Sequence, residues 1–258
     1  MAGYRRGLRL RGDVVVVAGA SGTVGRATVR ALAAHGARPV LVDAHAENAG
    51  QVLTVPADLT DPDAVQDAAG EVVDRCGRID GWVQCPGPPT SGAFLDLPLD
   101  EVRRVVDRDL LGAVHGARAA LPHMIAAGNG VLVVVASVHG QVARPFGAPG
   151  SMAAAAVRVM AGALREELRH DGVRGVAVTA VLAPTALTSR AVPGPAPVPT
   201  RAGLRTPRDV AVARTVLRQL RHPRLEKVAG GPVTKAVVHG HALVPGLTEW
   251  LVARRTGG

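Results

Sequence analysis

Short apolar runs alternate with amphipathic segments through most of this chain of 258 residues. The first run, residues 13–18, is continuous and rich in valine, which is typical of a strand buried on both faces. The pattern predicts strands at 13–18, 38–42, 51–55, 81–85, 130–136 and 174–182, and helices at 26–35, 61–75, 100–127, 150–170 and 207–220. Such alternation indicates an α/β fold, a single Rossmann-like doubly wound parallel sheet of about seven strands with helices on both faces.

The chain shows no internal repeat and no second hydrophobic core, so we expect one domain over residues 1–258. Residues 190–203 are proline-rich and follow the carboxyl end of a strand, where ligands bind in such folds, so we predict a substrate loop there. The tail from Leu225 predicts a short last strand and a helix over 247–254. His239 and His241 alternate in a strand-like pattern and are interpreted as surface residues.

A glycine turn joins the first strand to the first helix. Gly19, Gly22 and Gly25 are spaced three apart there, with Ser21, Thr23 and Val24 between them. Glycines let the backbone approach a pyrophosphate, which the N–H groups and dipole of the helix N-terminus bind. Asp43 ends the second strand, where a carboxylate can bind both hydroxyls of an adenosine ribose and repels a 2′-phosphate. We therefore expect NAD(H), with NADP(H) disfavoured, although Asp43 could instead only cap a loop.

With this turn the sequence resembles the short-chain dehydrogenase/reductase family over roughly residues 8–220. Residues 17–25 are similar to the family's Thr-Gly-x-x-x-Gly-x-Gly turn, with Ala18 and Thr23 in place of its Thr and middle Gly. The resemblance implies that Asp58 and Leu59 flank the adenine. It also implies that Gly87 is the last residue of the family's Asn-Asn-Ala-Gly segment, and only this Gly is kept.

The resemblance further implies a catalytic serine, asparagine, tyrosine and lysine. Ser137 matches the serine, and Asp109 stands at the asparagine position. Counting onward from Ser137, the tyrosine position is Gly150 and the lysine position is Ala154. The single tyrosine of the chain is Tyr4, and its two lysines are Lys227 and Lys235. The family's usual carbonyl–alcohol mechanism is therefore not expected, since loss of a general acid typically costs about 10²–10⁴-fold in rate.

Other polar residues are predicted to lie near the same cleft. Ser137, Asp109 and His139 are the candidate catalytic residues, because a histidine near a carboxylate can transfer protons near neutral pH. The alternative for His139 is a loop histidine that faces solvent. Cys85 has no evident cationic neighbour, so a packed thiol is favoured over a nucleophile. No His, Cys, Asp and Glu cluster has metal-ligand spacing, and no metal is expected.

Three functions remain open. The first is an atypical enzyme that acts on a small, largely apolar substrate, such as a specialised metabolite, by cyclisation, dehydration, isomerisation or an unusual reduction. The second is a catalytically inactive relative that serves as a binding or partner subunit. The third is an NAD(P)H-dependent ketoreductase with a different proton donor. Convergence of Ser137, Asp109 and His139 on a common point would favour an enzyme.

Composition limits the partners. The formal charge is +9, but the arginines are scattered and aromatic residues make up 2%, so nucleic-acid binding is not expected. No segment has 18 consecutive apolar residues, so we expect no membrane span and a cytoplasmic protein. The helices at 100–127 and 150–171 are apolar on more than one face, and in the family such faces pair across a two-fold axis. We therefore expect a homodimer or homotetramer.

Overall fold

The computed structural model describes residues 7–45, 52–143, 145–184, 207–241, 243–246 and 248. Seven parallel strands form one sheet in the order β3-β2-β1-β4-β5-β6-β7, which confirms the predicted fold class. The strands are β1 (Val14–Ala18), β2 (Arg38–Val42), β3 (Leu53–Val55), β4 (Gly81–Gln84), β5 (Gly130–Ser137), β6 (Val176–Ala183) and β7 (Glu226–Val228). The helices are α1 (Thr23–Ala34), α2 (Pro62–Cys76), α3 (Leu99–Val105), α4 (Gly112–Ala127), α5 (Ala148–His170), α6 (Pro207–Arg221) and α7 (Pro232–His241).

Alternate residues of the strands pack into two separate cores. Val14 and Val16 face the core that is covered by α2, α4 and α5, whereas Val15 and Val17 face the core that is covered by α1 and α6. All five residues of β1 are buried, because the sheet is covered on both sides.

The strand order reverses between β1 and β4, and this switch point positions the ligand-binding edge. From β1 the chain builds outward through β2 and β3, and it then returns to place β4 on the opposite side of β1. Loops at the carboxyl ends of the strands form a crevice at such a point. Buried Asp80 fixes the other end of this pair of strands, since its Oδ2 accepts a hydrogen bond from the backbone N–H of Val14 at 2.8 Å.

Several predicted boundaries differ from the structure. Helix α1 begins at Thr23 rather than residue 26, and α5 begins at Ala148 rather than residue 150. The predicted helix at 100–127 is divided by a π-helical turn, Val106–Leu111. The strand-like interpretation of His239 and His241 is wrong, because both lie in α7. The loop 190–203 and most of the predicted helix 247–254 lie outside the described residues.

Neither a membrane-spanning helix nor a metal cluster is found in the part of the chain that the structure describes. No helix there is both long and apolar enough to cross a bilayer. No group of three or more His, Cys, Asp or Glu side chains in those ranges could hold a metal ion.

Candidate functional site

The glycine turn after β1 depends on two of its three glycines for close packing. Gly19 has a φ of +76°, and a Cβ at this position would lie 2.7 Å from the carbonyl oxygen of Cys85. A Cβ at Gly25 would lie 2.6 Å from the carbonyl oxygen of Gly19. At Gly22 a Cβ would make only an ordinary contact, 3.5 Å from the same oxygen. The packing of the turn therefore does not itself require glycine at 22, whereas close approach of a ligand would.

The N-terminus of α1 fits a phosphate group. Gly22 is the N-cap residue and supplies no side-chain acceptor, and no acidic residue stands in the first turn. The first helical N–H groups have no helical acceptor, and the helix dipole is positive at this end. Ser21, Thr23 and Val24 border this terminus, and Thr23 Oγ1 donates to Asp209 at 3.2 Å. The turn therefore fits the pyrophosphate of a dinucleotide.

Asp43 is held against the glycine turn at the end of β2. Its Oδ2 accepts hydrogen bonds from the backbone N–H of Ser21 at 3.0 Å and from the Ser21 hydroxyl at 2.7 Å. Its Oδ1 accepts one hydrogen bond, from the backbone N–H of His45 at 2.9 Å. A carboxylate oxygen can accept two hydrogen bonds, so Oδ1 retains capacity for a ribose hydroxyl.

Asp58 and Leu59 follow β3 and begin the connection to α2. The Asp58 carboxylate accepts from the backbone N–H and the hydroxyl of Thr60, at 2.9 and 2.8 Å. These two hydrogen bonds lower the pKa of Asp58 below its ordinary value. The carbonyl oxygen of Leu59 lies 3.0 Å from Nδ1 of His115, which fixes this connection to α4. The predicted adenine contacts of both residues stay a prediction.

Ser137, Asp109 and His139, the three candidate catalytic residues, line one cavity at the carboxyl ends of β4 and β5. Gly150 and Ala154, which the sequence predicts at the tyrosine and lysine positions, line the same cavity. A Cβ at Gly150 would meet nothing within 4 Å, so that wall is open. Pro86, Pro89, Val135, Ala136 and Val157 are among the residues that give the cavity apolar walls. The geometry thus brings the predicted polar groups together in an apolar setting.

His139 is buried, at 9% exposure, so the alternative of a solvent-facing histidine is wrong. It lies in a short 3₁₀ turn, Val138–Gly140, and its backbone N–H donates to Ser137 Oγ at 3.1 Å. Its Nδ1 lies 3.1 Å from the carbonyl oxygen of Val142. A carbonyl oxygen only accepts, so Nδ1 carries the hydrogen and Nε2 is the nitrogen that gains or loses a proton.

Asp109 lies in the π-helical turn, and its carboxylate is held by two neighbours. Oδ1 accepts from the backbone N–H of Gly87 at 2.9 Å and from Arg108 Nε at 2.8 Å. Oδ2 accepts from Arg108 Nη2 at 2.8 Å, which makes a bidentate ion pair. Such π-turns occur frequently at functional sites. The contact to Gly87 joins this turn to the loop after β4.

Sequence reasoning missed Arg108 and Ser151. The Oγ of Ser151 is buried and has no hydrogen-bond partner within the described ranges, and Ser151 lines the cavity beside Ser137. Its signal was its position next to Gly150, at the start of a predicted helix. Arg108 had no local signal beyond its adjacency to Asp109.

Cys85 is a packed thiol, as predicted. It is buried at the end of β4, and burial, with a smaller contribution from the charge of Asp43, raises its pKa to about 12. A thiol with this pKa is neutral near physiological pH and therefore a poor nucleophile.

Comparison with known proteins agrees with the fold and the turn. Residues 13–194 match the short chain dehydrogenase family model. The chain is 30% identical to dehydrogenase/reductase SDR family member 7B of Xenopus tropicalis, over 97% of this chain and 88% of that protein. It is 32% identical to meso-2,3-butanediol dehydrogenase of Serratia marcescens, over 70% of this chain and 76% of that protein. The chain belongs to the short-chain dehydrogenase/reductase family, whose members generally bind NAD(P)(H).

A solved structure supports the same fold. A short-chain dehydrogenase from Streptomyces avermitilis superposes with a TM-score of 0.75 over 93% of this chain and 97% of that one, at 24% identity. The protein is oxidoreductase-like by family, and the solved structure shows the shared fold.

Proposed function

We propose that this chain is an NAD(H)-dependent oxidoreductase that acts on a small, largely apolar substrate without a catalytic tyrosine or lysine. One observation carries the proposal: Gly150 and Ala154 stand in the cavity wall at the tyrosine and lysine positions, while Ser137 and His139 line the same cavity. The dehydrogenases and reductases among its relatives support hydride chemistry. The apolar walls of the cavity support a substrate with few polar groups.

The polar groups of the cavity would have different roles in the reaction, and their hydrogen bonds indicate which role each would have. A bound nicotinamide would supply or accept the hydride. The Ser137 hydroxyl would bind the substrate oxygen, at the position that corresponds to the family's serine. His139 would hold and transfer the proton at Nε2, because Nδ1 is engaged by the Val142 carbonyl. In reduction, the carbonyl oxygen gains this proton while the carbonyl carbon gains the hydride.

Asp109 has a positioning role in this proposal. Its carboxylate already accepts three hydrogen bonds, from Gly87 and Arg108. It would therefore fix the loop after β4 against the π-helical turn.

The loss of the tyrosine and lysine also favours two other functions. One is an inactive relative that binds a nucleotide or a partner, and the other is an enzyme for dehydration, isomerisation or cyclisation. Neither would show net oxidation of NADH coupled to reduction of a substrate, which distinguishes both from the proposed function.

Titration with NADH and NADPH, followed by fluorescence or calorimetry, tests the cofactor. Turnover is then measured with NADH and small ketones, including acetoin, and with NAD⁺ and the matching diols. We expect tighter binding of NADH than NADPH, and stoichiometric NADH oxidation with at least one apolar ketone. Binding without turnover on any ketone or diol would favour the inactive or non-redox alternatives. Absence of dinucleotide binding would contradict the proposal.

A further inference from the structure

Arg108 lies across the loop that follows β4. Its Nη2 donates to the carbonyl oxygen of Pro88 at 2.8 Å as well as to Asp109. Gly87 provides the space, because a Cβ at residue 87 would overlap the guanidinium. The Arg108 side chain therefore requires glycine at position 87 in this chain. The Arg108 side chain is 19% exposed, so most of its guanidinium is removed from water.

One end of this guanidinium has no acceptor. Nε and Nη2 are bonded, but Nη1 is buried and has no hydrogen-bond partner in the described part of the chain. An unsatisfied buried donor costs roughly 1–3 kcal/mol, and more when the group is charged. Such a group is expected to meet an acceptor in the functional state of the protein.

The neighbours of Arg108 indicate which acceptor this is. Gly19 abuts the carbonyl of Cys85, so the glycine turn and the end of β4 are adjacent. A dinucleotide with its pyrophosphate on α1 and its adenosine ribose at Asp43 must extend its other half across the ends of β4 and β5. Arg108 lies against Gly87 along this path. Gly87 and Asp109, which contact Arg108, both line the cavity of Ser137.

We infer that Arg108 binds the nicotinamide-side ribose-phosphate of the dinucleotide through Nη1. The inference rests on the proposed binding of a dinucleotide, and it deepens that proposal by naming a residue. Ribose hydroxyl and phosphate oxygens are strong acceptors, and a guanidinium suits both in geometry and charge. Asp109 then holds the guanidinium in place from the opposite edge.

Binding of three probes to Arg108→Met tests the inference. NADH and ADP-ribose contain the nicotinamide-side ribose, whereas AMP contains only the adenosine side. We expect the dissociation constants of NADH and ADP-ribose to rise at least tenfold, since a hydrogen bond from a charged group is lost. The dissociation constant of AMP should stay within about twofold, as a change confined to one half of the crevice requires.

Three further variants distinguish the loss of a ligand contact from a general disturbance of the structure. Arg103→Met removes an arginine of the same charge from α3, where it pairs with exposed Asp100, and should bind all three probes like the unmodified protein. The double variant Arg108→Met/Asp109→Asn leaves no uncompensated carboxylate, and it should still bind NADH at least tenfold more weakly. If Arg108→Met does not fold, Arg108→Lys is used instead, since it keeps the positive charge but not the planar set of N–H donors. The dissociation constant of NADH should then rise at least about threefold.

Unchanged NADH affinity in a folded Arg108 variant would overturn this inference alone. Equal losses for NADH and AMP would also overturn it, since they would indicate a general disturbance of the crevice. Failure of the unmodified protein to bind any dinucleotide would overturn the proposed function together with the inference.

Discussion

Asp109 Oδ1 accepts a hydrogen bond from the backbone N–H of Gly87 at 2.9 Å, and this contact ties the π-helical turn to the end of β4. Gly87 and Asp109 both line the cavity of Ser137. Their hydrogen bond therefore holds this part of the cavity wall together, and it depends on one carboxylate.

Asp109→Ala is expected to lower the free energy of unfolding by about 1–3 kcal/mol, because it leaves the Gly87 N–H and Nε of Arg108 without their acceptor. Asp109→Asn should cost less, since its amide oxygen can still accept from Gly87. Urea denaturation followed by circular dichroism measures both variants. Equal costs for alanine and asparagine would contradict the role given to this hydrogen bond.

Asp43→Ala should relax the preference for NADH over NADPH. Removal of the carboxylate takes away an acceptor for a ribose hydroxyl and the repulsion of a 2′-phosphate. The ratio of the two dissociation constants should shift by about tenfold or more towards NADPH, as loss of one charged hydrogen bond implies.

Ser21→Ala is the matched control for Asp43→Ala. It removes the hydroxyl that donates to Asp43 but keeps the charge, so the ratio should change little. Tighter binding of NADPH than NADH by the unmodified protein would show that the interpretation of Asp43 is wrong.

The thiol of Cys85 should resist alkylation in the folded protein. Its pKa is raised to about 12, so at pH 8.5 it is almost entirely protonated, and it is also buried. Cys76 is the other of the two cysteines and is partly exposed. Iodoacetamide should therefore add one group to the native protein and two in urea, as measured by intact mass.

The same shift in pKa links the stability of the fold to pH. The unfolded thiol ionises at its ordinary pKa, about 9, whereas the folded thiol does not ionise until about pH 12. The contribution of Cys85 to stability is thus present below about pH 9 and is lost as the pH rises towards 12. In the iodoacetamide experiment, the variant Cys76→Ser keeps only Cys85 and should take up no label in its native state. Rapid labelling of this native variant would contradict the assignment of Cys85 as a buried, neutral thiol.

Exposed apolar side chains on α4 and α5 support the proposed homodimer or homotetramer. Met152 and Val159 are 48% and 67% exposed and lie two helical turns apart on one face of α5, and Ile125 is exposed on α4. Val159→Arg should shift the protein to monomers in sedimentation at micromolar concentration. Val233→Arg makes the same change at a similarly exposed site on α7 and should leave assembly intact. A monomeric unmodified protein would contradict the proposal.

The sequence alone predicts those elements of the fold that a local pattern of residues determines. Continuous valine runs mark strands buried on both faces, so β1 and its glycine turn could be placed closely. The contact between Arg108 and Gly87 spans 21 positions along the chain, and no local pattern encodes which way a side chain of a π-turn points. The strand-like interpretation of His239 and His241 is wrong because a pair of residues spaced two apart is compatible with either a strand or a helix. In the structure both residues lie in α7, which begins at Pro232.

Burial of His139 also depends on distant parts of the chain. The sequence around His139 is compatible with an exposed loop. In the structure Gly140 packs directly on the backbone of α5 at Ala154, and the 3₁₀ turn that carries His139 therefore lies close to this helix. Such an approach needs glycine at 140, since a Cβ there would lie 2.6 Å from the carbonyl carbon of Ala154. Only the folded arrangement of β5 and α5 shows that His139 belongs to the cavity.

Steady-state turnover of Ser137→Ala and His139→Gln tests most directly whether catalysis runs through these two residues. NADH oxidation is measured with the best ketone found for the unmodified protein, alongside the dissociation constant of NADH. We expect each variant to lose at least about tenfold in kcat, the low end for a positioned polar or acid–base group, while NADH binding stays within about twofold. Robust NADH oxidation that neither substitution slows would contradict this assignment.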